Sequence, residues 1–311
     1  MLKEEILKEI KERGEIPFDR FVYLSLYHPK WGYYTGKRGS PLPGEDFVTA
    51  PEISPVFGKV LAFHLKRISE ERNLPLRILE LGGGKGFLAK DILGSIPVEE
   101  YIVLELGNFP PLPGIRHVKK LEEVPSFEGF VVSNEFFDAF PFKRILKRGG
   151  KLFEVFVGSD GDKLTEFLLP FKGELPCEPE EGGEYPLFVG WKEFLKELKE
   201  KFKGYFIAFD YGGKCKEVSS KKSFRAYRNN RIVEDYLERP GETDLTADID
   251  FDRLFNVLSS SGFSRIRVRN QSEFLLSEGI EKAVSPSDSI AVLSLLVDMG
   301  RRFKVIQAVR E

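Results

Sequence analysis

The sequence predicts a doubly wound, mostly parallel α/β fold that carries an N-terminal helical and loop extension and a β-rich insertion. Three observations predict it. Short apolar runs at 76–82, 101–107, 115–120, 129–136 and 204–212 are mostly separated by helical stretches, the pattern of βαβ units in a parallel sheet covered on both faces. The first run ends in Gly82-Gly83-Gly84-Lys85-Gly86 and opens directly into the helical stretch FLAKDILGSI. With 311 residues, 41% of them hydrophobic and 31% charged, the chain can bury one large core or two modest ones.

The elements follow in order. Leu2, Ile6, Leu7 and Ile10 share one face of a helix over 2–13, which Gly14 ends. A second helix starts near Pro17, with Phe18, Phe21, Val22, Leu24 and Leu26 as its apolar positions. Residues 28–55 read as a long irregular segment rich in Gly, Pro and aromatics. Long loops in compact domains tend to be functional or disordered, and the aromatics argue against disorder. A helix over about 56–72 precedes the first strand, so residues 1–75 are expected to pack as an extension on a domain spanning 76–311. Within that domain, 142–190 reads as the insertion. It holds a hairpin around Gly149-Gly150 and a further strand in KLTEFLLPF. FSRIRVRNQ and RRFKVIQAVR supply two last strands around helices near 249–261 and 287–300.

Composition excludes several classes. Lys plus Arg total 47 and Asp plus Glu 49, so no basic excess favours a polyanion, and no nucleic-acid partner is expected. The basic stretch Lys214–Arg231 reads as a solvated loop. No apolar run is long enough to span a bilayer, so no membrane insertion is expected. The start, MLKEEILKEIKERG, carries both signs of charge and reads as neither signal nor transit peptide, which makes the cytoplasm the expected location. Cys177 and Cys215 are far apart in sequence and lack partners at metal spacing. They predict neither a disulfide nor a metal site, and they fit a reducing compartment. Composition says nothing about oligomeric state.

The glycine run carries the chemistry. Glycines let the backbone turn sharply and let a ligand approach without a Cβ in the way. The helix start offers unpaired N–H groups and partial positive charge to an anionic or polar ligand. Two ligands fit. From Gly84, G-K-G-F-L-A matches the dinucleotide pattern, with Glu105 about 20 residues on. From Glu80, the run matches E-x-G-x-G-x-G, the glycine motif of class I methyltransferases, with Gly82, Gly84 and Gly86 at the turn. There Glu80 faces the methionine part of S-adenosylmethionine, and Glu105 accepts hydrogen bonds from both ribose hydroxyls, as a two-oxygen acceptor suits a vicinal diol. A tight turn without ligand is the least favoured reading, because four of five positions are glycine.

Several blocks in fixed order resemble the MidA-type methyltransferases, whose mitochondrial members assist assembly of respiratory complex I. They are GEDFVTAPEISPVFG (44–58), LELGGGKGFLAKDIL (79–93), SNEFFDAFPFKR (133–144), DYG (210–212), FRAY (224–227), PGETDLTADIDF (240–251) and MGRRFKV (299–305). The resemblance implies a seven-stranded class I methyltransferase sheet and S-adenosylmethionine as cofactor. In mitochondrial members it implies a protein arginine as substrate. It adds Thr49 and Asn134 to the cofactor-binding candidates. Two departures stand out. Asn230 replaces a histidine frequent in the family, and GNFPPLPG (107–114) replaces the helix that normally helps cover the adenine.

Methylating an arginine nitrogen requires carboxylates that pair with the guanidinium, localise its charge on the far nitrogen and take the leaving proton. Glu135 is the main candidate, Asp138 its partner and Glu52 a third, the last equally readable as a helix cap. His28 and His64 read as structural, His117 has no evident partner, and Asp210 and Tyr211 end a strand near the site. Three other functions compete: a small-molecule methyltransferase, a cofactor-binding assembly factor without turnover, and a nicotinamide-dependent oxidoreductase. The last ranks low because no hydride-transfer constellation is present.

Overall fold

The structure, a computed structural model, describes residues 1–36, 49–220, 222–285 and 288–311. Part of the 44–58 block and of the 28–55 segment therefore lies outside the described residues. The chain sorts into two compact units. One comprises Met1–Phe47 (described to residue 36), Phe137–Trp191 and Gly212–Arg253. The other comprises Val48–Phe136, Lys192–Tyr211 and Leu254–Glu311.

The second unit holds the predicted sheet. Its strands are β1 (Arg77–Leu81), β2 (Glu100–Leu104), β3 (Arg116–Val118), β4 (Phe127–Asn134), β5 (Phe202–Gly213), β6 (Ser264–Asn270) and β7 (Phe303–Arg310). They lie in the order β3-β2-β1-β4-β5-β7-β6. The first five run parallel, and β7 is antiparallel to both of its neighbours. A two-residue strand, Ile249–Asp250, pairs with Gly212 and Gly213 at the end of β5, residues grouped with the first unit, and brings the strands of this sheet to eight, one more than expected. Ile78, Phe130, Val132, Ile207 and Val305 on one face pack with Phe57, Leu61 and Leu65 of the helix Pro55–Arg72 and with Leu88 and Ile92 of the helix Phe87–Leu93. Leu81 pairs with Leu104 on one side and Ser133 on the other. The carboxyl ends of β1, β2 and β4 thus lie side by side, where open α/β sheets bind ligands. No helix forms between β2 and β3, as the proline-rich 107–114 segment leads one to expect. No helix of the described residues is long and apolar enough to cross a membrane.

The first unit joins the helices Leu2–Arg13 and Phe18–Tyr27 to an antiparallel sheet of Ile16–Pro17, Phe142–Arg148, Lys151–Asp160, Lys163–Pro170 and Glu184–Phe188. Gly149 and Gly150 turn the hairpin at φ of 55° and 70°, the left-handed pair a two-residue hairpin loop requires. The expected division in chain order at 75/76 does not match this grouping. Ile16 pairs with Val157, which places the N-terminal helices with the insertion, whereas the helix Pro55–Arg72 belongs with the parallel sheet. A second hairpin joins Arg225–Arg228 to Arg231–Ile232 through Asn229 and Asn230, at φ of 52° and 58°. Asparagine tolerates that left-handed region, which suits both residues to the turn.

The cysteine expectation is corrected. Cys177 and Cys215 form a disulfide with their Cα atoms 6.1 Å apart. Distance in sequence hid the pair, because the chain between them returns through the strand Glu184–Phe188. The reducing compartment inferred from unpaired thiols loses its basis. The bond closes a loop across a separation of 38 residues, and chain entropy predicts a stabilisation of about 2–4 kcal/mol. Reduction is therefore expected to lower the urea midpoint, and a Cys177→Ser/Cys215→Ser variant should show the lower midpoint without reductant. Equal midpoints for oxidised and reduced protein would remove the bond as a stabilising element.

Candidate active site

β1 delivers Glu80 and the glycine run to the carboxyl end of the sheet. Gly82 N–H donates to Leu104 O at 2.9 Å and anchors the loop to β2. Gly84 has φ of 51°, and a Cβ there would meet no atom within 4 Å. Its side of the loop is open to a ligand. Gly86 caps the helix Phe87–Leu93 at φ of 78°, and a Cβ on it would come within 2.1 Å of Leu112 Cδ1. Leu112 of the proline-rich segment thus packs onto the loop at Gly86, where the positive φ favours glycine.

The two strand-end acids differ in environment. Glu105 lies just past β2 and takes Gly84 N–H on Oε2 at 2.8 Å and Gly107 N–H on Oε1 at 2.5 Å. Each oxygen retains a lone pair for a further donor, which suits a diol. Glu80 is 3% exposed and accepts the Tyr101 hydroxyl at 2.7 Å. Burial pushes its carboxyl from the ordinary 4.5 up to about 8; the Tyr101 bond opposes this, and the charge of Glu105 adds to it. Because the folded form holds its proton up to about pH 8 and the unfolded chain loses it near 4.5, stability falls as pH rises through that window. The slope for one proton is about 1.4 kcal/mol per pH unit. Denaturant titrations from pH 5 to 8 should show that slope diminished in Glu80→Gln. An unchanged slope would assign the pH response to other groups.

At the tip of β4, Asn134 Nδ2 donates to Glu135 Oε1 at 3.0 Å, and the buried Asn134 Oδ1 has no hydrogen-bond partner among the described residues. Glu135 has φ of 53°, and its N–H donates to Phe209 O at 2.8 Å. A non-glycine residue held there stores on the order of 1 kcal/mol, a cost that clusters at functional sites. Asp138 belongs to the other unit, is 8% exposed and accepts Thr246 Oγ1 at 3.0 Å. Thr49 caps the short helix Ala50–Ile53. Glu52 does what the capping reading expects, accepting Thr49 N–H at 3.0 Å, and its other oxygen takes the Lys85 ammonium at 2.8 Å.

The structure therefore brings together Glu80, Gly82, Gly84, Gly86 and Glu105, joins Asn134 to Glu135, and joins Thr49 to Glu52. Sequence reading missed Tyr101 and Lys85. Tyr101 pairs with Ile78 and so lies on the same sheet face as Glu80, two residues away along β1. Lys85, the sole cation in the glycine run, was visible but unassigned. Each histidine has a bonded partner. His64 is 2% exposed, between Tyr205 OH and Glu278 at 3.0 Å each, and His28 bonds to Glu5 at 2.7 Å. His117 does have a partner, contrary to expectation: its Nε2 accepts Leu112 N–H at 3.1 Å.

These features fit an adenosyl amino acid: an open glycine cradle, acceptors at two strand tips and an unmatched amide oxygen at the third. The comparisons agree. A family model described as "Putative S-adenosyl-L-methionine-dependent methyltransferase" matches residues 106–268. A crystal structure from Burkholderia thailandensis bound to S-adenosyl-homocysteine is 26% identical with a TM-score of 0.89, covering 99% of this chain and 92% of that one. Mitochondrial protein arginine methyltransferases from Drosophila melanogaster and Bos taurus are each 28% identical, covering 84% and 90% of this chain and 70% and 74% of theirs. These mitochondrial relatives overturn the cytoplasmic location, for which the mixed charges of the first residues are insufficient ground. S-adenosylmethionine is the cofactor, and the chain belongs to this family of S-adenosyl-L-methionine-dependent methyltransferases.

Proposed function

We propose that the chain methylates an arginine side chain of a protein. The observation that carries this reading is Glu135, a carboxylate fixed at the tip of β4 by a left-handed backbone and by the Asn134 amide. The relatives named protein arginine methyltransferases support it. The cofactor, when bound, supplies an electrophilic methyl carbon on a cationic sulfur. Glu80, Gly82, Gly84, Gly86 and Glu105 would hold it, together with Thr49 and Asn134. Glu135 pairs with the guanidinium, fixes its plane, draws positive charge away from the reacting nitrogen and receives its proton. Asp138, three residues along the chain, is proposed as its partner. A subunit of respiratory complex I is the first substrate to screen.

The test is methyl-labelled cofactor with arginine-bearing peptides from such subunits, with lysine-substituted peptides and with free arginine. Label is expected on the arginine side chain of a peptide and not on its lysine counterpart. Label on small molecules alone would replace the protein reading.

A further inference from the structure

We propose that Glu52 and Lys85 form a positioning pair that sets the preference of the glycine loop for the cationic methyl donor over its neutral product. The proposal rests on the cofactor reading of that loop. Lys85 stands between Gly84 and Gly86, with its ammonium 2.8 Å from Glu52 Oε1 and the two side chains only 19% and 10% exposed. Glu52 is fixed from its other end by Thr49 N–H at 3.0 Å. Capping the helix Ala50–Ile53 needs that one oxygen; the oxygen turned to Lys85 adds nothing to the cap. The pair joins a turn and a loop 33 residues apart in sequence, so local propensity does not account for it.

Charge gives the pair its consequence. The donor carries a sulfonium and an ammonium against one carboxylate, a single net positive charge. The product has lost the sulfonium and is net neutral. A bare lysine in the receiving loop would repel the donor and leave the product untouched, which favours product retention. Glu52 cancels that charge, and because both groups are largely shielded the cancellation is weakly screened by salt.

Calorimetric titration of the wild type, Glu52→Gln, Lys85→Met and the double variant with S-adenosylmethionine and S-adenosylhomocysteine tests this. Glu52→Gln is expected to move the affinity ratio toward the product by about three- to tenfold, the order of one partly screened charge. Lys85→Met, which leaves Glu52 uncompensated, is expected to move it toward the donor by a similar factor. The double variant should return to within about twofold of wild type. A purely structural latch would weaken both ligands together and leave the ratio unchanged, and that result overturns the proposal, as do shifts of one sign in both single variants. Should Glu52→Gln loosen the fold, Lys85→Met alone carries the test, because a weakened scaffold does not raise donor affinity over product. Wild-type protein that binds neither ligand overturns the cofactor reading and the proposal with it; binding with unmoved ratios overturns the proposal alone.

Discussion

Glu135→Gln is expected to reduce kcat on an arginine peptide by about 100- to 1000-fold while leaving the Kd for S-adenosylhomocysteine within about threefold of wild type. The magnitude is that of removing a positioned general base together with the charge that orients the guanidinium, and on the usual conversion it is about 3–4 kcal/mol of transition-state stabilisation. Cofactor affinity is expected to be spared because the hydrogen bonds that order the glycine loop run through Glu105, and Glu80 is held by Tyr101, while the Glu135 carboxylate takes the Asn134 amide. A second substitution separates chemistry from folding. Glu135 has φ of 53°, where glycine is at ease and other residues are strained, so Glu135→Gly should keep or raise thermal stability, by up to about 1 kcal/mol, while losing activity as Glu135→Gln does. A residue kept for packing would behave in the opposite way. Retention of more than a tenth of wild-type kcat by Glu135→Gln would remove the residue from the catalytic role and direct attention to Asp138.

The middle of the central sheet was legible because β1, β2, β4 and β5 are apolar runs ended by glycine or a charged residue, the composition of parallel strands buried on both faces. The glycine loop was legible for a related reason: backbone turns that side chains forbid leave their mark in residue type. The hairpin at Gly149-Gly150 was read by that rule, and Asn229-Asn230, which obeys it too, was passed over inside a basic stretch. The helix Trp191–Lys201 was also passed over, although Trp191, Phe194, Leu195 and Leu198 carry its period. What stayed hidden depends on pairing at long range. The partnership of Tyr101 with Glu80 follows from strand register, that of Lys85 with Glu52 from the return of a loop, and the Cys177–Cys215 bond from the path of the insertion. The grouping of the first helices with residues 137–191 follows from one short pairing, Ile16 to Val157, that no local pattern announces.

Arg144→Met is expected to destabilise the first unit by about 3–5 kcal/mol, the largest loss of stability among the substitutions considered. Arg144 is 7% exposed on the strand Phe142–Arg148, and its Nε and Nη2 donate to the two oxygens of Glu184 at 3.0 and 2.9 Å. Its Nη1 donates to Glu166 and to Tyr236 OH, and the guanidinium carbon sits 4.8 and 4.5 Å from the ring centres of Phe18 and Phe224. Burial alone would lower its pKa, but the charge and hydrogen bonds of Glu184 outweigh burial and hold it above the ordinary arginine range. Removing the cation leaves Glu184, 1% exposed, as an uncompensated buried charge, and that penalty exceeds the value of the pair itself. The double variant Arg144→Met/Glu184→Gln should therefore recover a substantial part of the loss, since it leaves no net charge at the Glu184 position. Urea titration of the two single variants and the double variant checks this. Losses that simply add would show that Arg144 acts through its stacking between Phe18 and Phe224 and not through the buried ion pair.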